Sequence, residues 1–286
     1  MRYAICNNDP AVIADAREAG FDYLEASVPN LVRPFDSEEV FEQTLADYRK
    51  AAAGLPIESV NLFLPRELRC TGPDAVPLDR LADYAETVCR RLARAGIPIL
   101  VFGSGGARAL PDGWPKEEAD RQFVALLSRI GPIAERHGVQ IAVEPLARVE
   151  CNYLNTVDEG AALARASGSP AVGVLADSFH WGRNGETADT ILAAKDRFLH
   201  AHVATLPNRK APGLEPYDFT PFFRALAAIG YDGRVTVEAA PPPPEGRVDA
   251  LRGILRVLRE SVAAAHAPLA APEALPPCAA FHPSPA

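Results

Sequence analysis

A chain of 286 residues and 30.6 kDa, 48% hydrophobic and 23% charged, can bury a sizeable core and is not globally disordered. Its 29 basic residues against 37 acidic ones give a formal charge of −8 and a pI near 5.3, which argues against nucleic acid as a partner, since a polyanion calls for a basic face. No window approaches the roughly 18 uninterrupted apolar residues of a membrane span. The first apolar run stops after three residues, short of a signal-peptide core. Five scattered cysteines (Cys6, Cys70, Cys89, Cys151, Cys278) form no C-x-x-C pair, which disfavours a disulfide framework and a cysteine zinc site. The expectation is a soluble, acidic, cytoplasmic protein.

In chain order, short apolar runs predict strands at Tyr3–Cys6, Phe21–Glu25, Glu58–Phe63, Ile97–Phe102, Val139–Glu144, Ala171–Ala176, Phe198–Val203 and Tyr231–Glu238. Runs of Val, Ile and Leu bounded by turns read as buried parallel strands. Four of them follow a glycine (Gly20, Gly96, Gly138, Gly230) that ends a helical stretch, the left-handed cap that turns a helix back toward a strand. Amphipathic stretches at Ser37–Ala53, Leu78–Ala95, Lys116–His137 and Phe219–Ile229 fill the intervals, with cap signals at Asp36-Ser37-Glu38-Glu39 and Asn155-Thr156-Val157-Asp158-Glu159. Eight strand–helix alternations mean a doubly wound sheet or a closed barrel. The count and length favour a single α/β (β/α)8 TIM barrel over residues 1–264. Residues 265–286, with six prolines and many alanines, read as a flexible Pro/Ala-rich tail, and Pro241–Pro244 as a stiff loop at the barrel rim. The loop Gly103-Ser104-Gly105-Gly106 is either a plain turn or a phosphate cradle of backbone amides.

In a parallel barrel the strand C-termini converge on one mouth. The last four strands end in Glu144, Asp177, His202 and Glu238, spaced 33, 25 and 36 residues apart, each close to one repeat. A single carboxylate after a strand is as readily a helix cap, and Asp177 alone reads either way. Three carboxylates at one rim repel unless a cation joins them. Carboxylates with one imidazole suit one divalent metal ion, Mn²⁺ first, with Mg²⁺, Co²⁺ or Zn²⁺ compatible.

The motifs V-E-P-L-A-R-V-E (Val143–Glu150), L-A-D-S-F-H (Leu175–His180), H-A-H-V (His200–Val203), N-R-K-A-P-G (Asn208–Gly213) and V-T-V-E (Val235–Glu238) together resemble the xylose-isomerase-like barrels, particularly sugar isomerases and ketose 3-epimerases. The resemblance runs from about Tyr3 to Val262. It implies that Glu144, Asp177, His202 and Glu238 ligate one divalent metal and that Glu144 and Glu238 also move the proton. It further implies that His180 and Arg209 hold substrate oxygens and that Glu150 contacts the oxygen at the sugar's first carbon. The stretch Ala204–Arg209 and the loop Phe102–Arg108 depart from the family pattern, and these loops face substrate.

Such chemistry removes a proton beside a ketone and spreads the charge into a cis-enediolate next to the cation. Return to the same carbon epimerises, and return to its neighbour interconverts aldose and ketose. The expected partner is a small sugar, with neither nucleic acid nor membrane, and a homo-oligomer is left open. Three rivals share the scaffold: a lyase that expels a leaving group from the same enediolate, a catalytically silent binding subunit, and an apurinic-endonuclease-like phosphodiesterase. The phosphodiesterase would need histidines where strands three and four end in Asn61-Leu62-Phe63 and Phe102-Gly103. Among lesser candidates, His200 reads as a core-filling histidine or a group behind the metal. Glu25 and Asn7 read as pocket-lining or capping residues. Trp181 reads as a sugar-stacking ring or packing, His137 as structural, His266 and His282 as tail residues, and Cys6 as an apolar filler.

Overall fold

The computed structural model describes residues 1–267; residues 268–286, most of the expected tail with Cys278 and His282, lie outside the described residues. The strands are β1 (Arg2–Cys6), β2 (Tyr23–Ser27), β3 (Ile57–Asn61), β4 (Ile99–Phe102), β5 (Gln140–Val143), β6 (Val172–Asp177), β7 (Phe198–Val203) and β8 (Arg234–Val237). Every neighbouring pair is parallel, and β8 returns to β1 to close the barrel. The main helices on the outside are α1 (Pro10–Ala19), α2 (Glu38–Ala52), α3 (Leu78–Ala95), α4 (Gly105–Arg108), α5 (Lys116–Arg136), α6 (Val157–Ala166), α7 (Ser178–Arg183), α8 (Ala188–Ala193), α9 (Thr220–Ala228) and α10 (Arg247–His266). Among the described residues, no helix is long and apolar enough to cross a membrane.

The expected boundaries shift by a few residues for local reasons. Phe21 and Asp22 complete the reversal after Gly20, which sits at φ 94°. The third strand stops at Asn61 because Leu62 turns left-handed at φ 57°. The sixth reaches Asp177, one residue past the predicted end. Helix α10 runs to His266 and buries Ala265, so these two residues belong to the barrel's last helix and not to the tail. Pro241–Pro244 follow β8 without regular structure. The expected caps form: Ser37 Oγ accepts from Val40 N, and Thr156 with Glu159 makes a capping box.

Apolar side chains on the outer faces of the strands meet the helices in two large buried clusters, while the barrel interior holds a small one around Ile99, Val101, Ala142 and Leu175. The rest of the interior is polar, built on Tyr23, Glu25, Ser59, His200 and Thr236. The four described cysteines are free.

One surface link ties α2 to α3. Glu38 accepts from Arg90 at 2.7 and 2.9 Å and from Arg91 at 2.7 and 3.0 Å, and Arg91 is itself buried. These bonds hold the Glu38 carboxyl down to about 2, against an ordinary 4.5. A depressed carboxyl contributes stability above its unfolded value and loses it as pH falls through the folded one. Glu38→Gln is therefore expected to lower the urea midpoint at about pH 6, and the difference from wild type should shrink as pH falls toward 2. Parallel urea curves across that window check it.

Candidate active site at the barrel mouth

The barrel mouth opens into a cavity of about 660 Å³. Glu144 and Glu238 each sit one residue beyond their strands, yet the ladders still hold them: Glu144 N donates to Phe102 O at 3.1 Å and Glu238 N to Val203 O at 3.2 Å. Asp177 and His202 are register partners across β6 and β7. The possible metal-ligating side chains fall into two groups, and His202 belongs with Glu25 and His200. Ligating atoms of Glu144, Asp177, His180 and Glu238 lie within 4.8 Å of one another. His202 Nδ1 is 3.4 Å from Glu144 Oε1 and 3.6 Å from Glu238 Oε2.

Asp177 resolves its two readings by using both oxygens. Oδ1 caps α7 by accepting from Phe179 N at 2.8 Å, while Oδ2 faces the cluster and has no hydrogen-bond partner. Glu144 Oε1 and His202 Nδ1 are also buried without partners. Burial, reinforced by the neighbouring carboxylates of Glu238 and Glu144, raises the Asp177 carboxyl to about 6. Burial also acts to raise Glu238, but His202 and Arg209 outweigh it and hold that carboxyl at about 2. Unpartnered buried lone pairs are costly. Three carboxylates with an imidazole nitrogen match the hard-oxygen and imidazole preferences of a divalent cation, so these residues fit such an ion.

The surroundings of His180 and His202 set which ring nitrogen carries the proton. Ala147 N donates to His180 Nδ1 at 3.1 Å, so in the neutral ring the proton is on Nε2, 3.7 Å from Asp177 Oδ2. His180 thus offers a donor to the cavity. His202 Nε2 lies 3.0 Å from Glu25 Oε1, off the line of a good hydrogen bond. Glu25 is fully buried, and its other oxygen accepts from Ser59 Oγ at 2.6 Å, Thr236 Oγ1 at 3.1 Å and His200 Nε2 at 3.0 Å. Burial would raise the Glu25 carboxyl, but His202 and His200 drive it far below the ordinary range. An ionised carboxylate only accepts, so the proton of a neutral His202 belongs on Nε2 and Nδ1 keeps its lone pair toward the mouth.

Arg209 reaches in from the loop after β7. It donates to Glu238 Oε2 at 2.7 Å and Glu150 Oε1 at 3.1 Å and lies 3.7 Å from Asp177 Oδ2. Burial works to lower its pKa, but these carboxylates more than compensate and raise it. Gly103 closes the opposite wall, where an added Cβ would overlap Glu144 Oε2. That carboxylate also opposes an anion at this end of the glycine loop. Gly103→Ala is expected to retain the fold, because the clash is with a side-chain tip, and to cut turnover about tenfold by shifting Glu144. Rates and thermal melts of the purified variant test this.

Glu144, Glu150, His180, Arg209 and Glu238 line the cavity, and Asp177 and His202 lie against these residues without lining it. Sequence reasoning passed over Asn61, whose Nδ2 donates to Glu238 Oε1 at 3.0 Å. Its position at the end of β3 was the available signal. It also left Glu25 among pocket-lining or capping candidates, whereas Glu25 is the buried hydrogen-bond partner of His200 and lies 3.0 Å from His202 Nε2. Asn7 makes a local turn instead, accepting from Asp9 N at 2.9 Å. Trp181 packs on Phe222 with ring centroids 5.8 Å apart and does not line the cavity. His137 pairs with Glu86 at 2.6 Å, consistent with a structural role.

Fold and site together define a TIM-barrel protein with an acidic, histidine-bearing mouth. Residues 13–260 match the family described as "Xylose isomerase-like TIM barrel", and the chain belongs to that family. It is similar to an L-ribulose 3-epimerase of Methylomonas sp. (strain DH-1), 29% identical over 231 residues, covering 79% of this chain and 77% of the relative. It is also similar to a D-psicose 3-epimerase of Ruminiclostridium cellulolyticum, 30% identical over 236 residues, covering 79% and 76%. A solved D-psicose 3-epimerase, crystallised in the presence of D-fructose, superposes with a TM-score of 0.79 over 92% of this chain and 99% of its own, at 20% identity. The chain is thus an enzyme of the isomerase and epimerase class.

Proposed function

We propose that this enzyme is a divalent-metal-dependent isomerase or epimerase of a ketose or related keto-sugar, with Glu144 and Glu238 as the proton-transferring groups. The observation that carries this reading is the convergence of Glu144, Asp177 and Glu238, with His202 Nδ1 3.4 Å from Glu144 and 3.6 Å from Glu238 and unpartnered buried lone pairs among these residues. The names of its relatives support a ketose as the substrate class.

Glu144, Asp177, Glu238 and His202 Nδ1 would hold the metal. When bound, a divalent cation supplies positive charge beside the oxygens of the enediolate. Glu144 and Glu238 follow β5 and β8, three strands apart in an eight-strand ring, so they approach a bound sugar from different sides. One carboxylate takes the proton beside the ketone and the other delivers it. Glu238 lines the cavity with its carboxylate held by Arg209 and Asn61. The His180 Nε2–H and the Arg209 guanidinium donate to substrate oxygens, and Glu150 holds Arg209 in place as well as facing the sugar's end.

The test is incubation with ketohexoses and ketopentoses in D₂O. Deuterium should enter the carbon beside the carbonyl, with exchange lost after EDTA and restored by Mn²⁺. Full activity in metal-free protein overturns the metal assignment. Release of a fragment with no exchanged sugar assigns a lyase instead.

A further inference from the structure

Beside the main cavity lies a second one of about 320 Å³, walled by Pro34 and Phe35 of the β2–α2 connection, Leu62, Leu64 and Pro65 of the β3–α3 connection, and Tyr84 of α3. Leu62 and Leu64 line both cavities, so the two spaces adjoin at these residues. Asn61, immediately before Leu62, donates to the Glu238 carboxylate. A sugar held at Glu238 therefore sits one residue along β3 from this annex.

What the annex presents is apolar. Its two charged residues, Arg33 and Asp36, pair with each other at 2.7 Å, and the Tyr84 hydroxyl donates to Phe63 O at 2.9 Å. Phe35 leans against Tyr84 with ring centroids 5.4 Å apart, leaving an aromatic wall. Phe35 is nonetheless 73% exposed and Leu62 53%, an uncovered apolar pair at the edge of a site.

The backbone holds this surface in place. Arg33 and Leu62 adopt left-handed conformations at φ 50° and 57°, which bulky residues rarely do and which recur where loops clamp ligands. The Leu62–Leu64 turn is pinned because Leu64 N donates to Ser104 Oγ at 2.9 Å. A free ketose, covered in hydroxyl groups, gains less from such a wall than a flat apolar group, which gains both burial and ring contact.

We infer that the annex is a substrate subsite for an apolar or aromatic substituent, so that the preferred substrate is a keto-sugar carrying such a group in glycosidic linkage and not a free ketose. This rests on the keto-sugar reading above and names its substrate class. The occupant is an extension of the substrate because the groove adjoins the main cavity at Leu62 and Leu64.

The experiment compares phenyl and methyl glycosides of a 3-keto-hexose, with free ketohexoses alongside, following exchange in D₂O. Wild type should show a KM for the phenyl compound at least about tenfold below that for the methyl compound. Phe35→Ser should raise the phenyl KM toward the methyl value and leave the methyl KM and both kcat values unchanged, and Phe35→Leu should retain most of the phenyl preference. Equal KM values in wild type, or a Phe35→Ser effect of the same size on both glycosides, overturn the subsite. Light scattering that finds a wild-type dimer and a Phe35→Ser monomer gives the groove to a second copy and also overturns it. Exchange with the methyl glycoside or a free ketose but no phenyl advantage defeats the subsite alone. Absence of exchange with every sugar defeats the proton-transfer reading on which it rests.

Discussion

Glu238→Gln is expected to slow deuterium exchange into a ketose by roughly 10³-fold, within the range typical of a lost general acid–base group. Glutamine preserves the shape and keeps one oxygen for Arg209, while the contact with Asn61 Nδ2, now made to the other oxygen, is lost. What it cannot do is accept a proton from carbon. Glu238 reaches only the cavity and its rim, so the fold should survive, and the thermal midpoint should stay within a few degrees of wild type. A rate within threefold of wild type at saturating Mn²⁺ would remove Glu238 from the proton-transferring pair. Titrating the variant with Mn²⁺ separates the losses, because weak binding alone is overcome at high metal concentration whereas a missing base is not.

Glu25→Gln is expected to weaken divalent-cation binding by roughly 10²-fold, the scale reported by substitutions behind metal-bound histidines. Glu25 places an acceptor-only carboxylate 3.0 Å from His202 Nε2. An amide that turns its NH₂ toward that nitrogen favours the tautomer with the proton on Nδ1, which removes the lone pair facing Glu144 and Glu238. Its oxygen can still receive Ser59, Thr236 and His200, so the polar interior stays largely paired. Calorimetric Mn²⁺ titration gives the affinity, and ¹⁵N chemical shifts of the His202 ring give the tautomer. Unchanged affinity with an unchanged tautomer would make Glu25 a packing residue only.

The visible part of the site was visible for a geometric reason. Parallel strands of a barrel all end at the same mouth, so Glu144, Asp177, His202 and Glu238 could be brought together from their spacing before any contact was known. Asp177 shows where this stops, because the sequence offers a cap and a mouth-facing carboxylate as alternatives while the folded chain uses one oxygen for each. Asn61 and Glu25 were undervalued because their partners lie 177 and 175 residues away along the chain, just after β8 and on β7. No local pattern encodes such pairings.

Alternating apolar strands and amphipathic helices, with glycine at the reversals, are short-range properties that determine a (β/α)8 chain, its caps and the strand ends that carry acidic and imidazole groups. Barrel closure alone decided which nitrogen of each histidine faces the mouth, which carboxylate oxygens are left unpaired, and that an apolar annex adjoins the main cavity. Those features depend on side chains from distant strands meeting across the interior at hydrogen-bond range, where a displacement of about 1 Å changes which atoms pair.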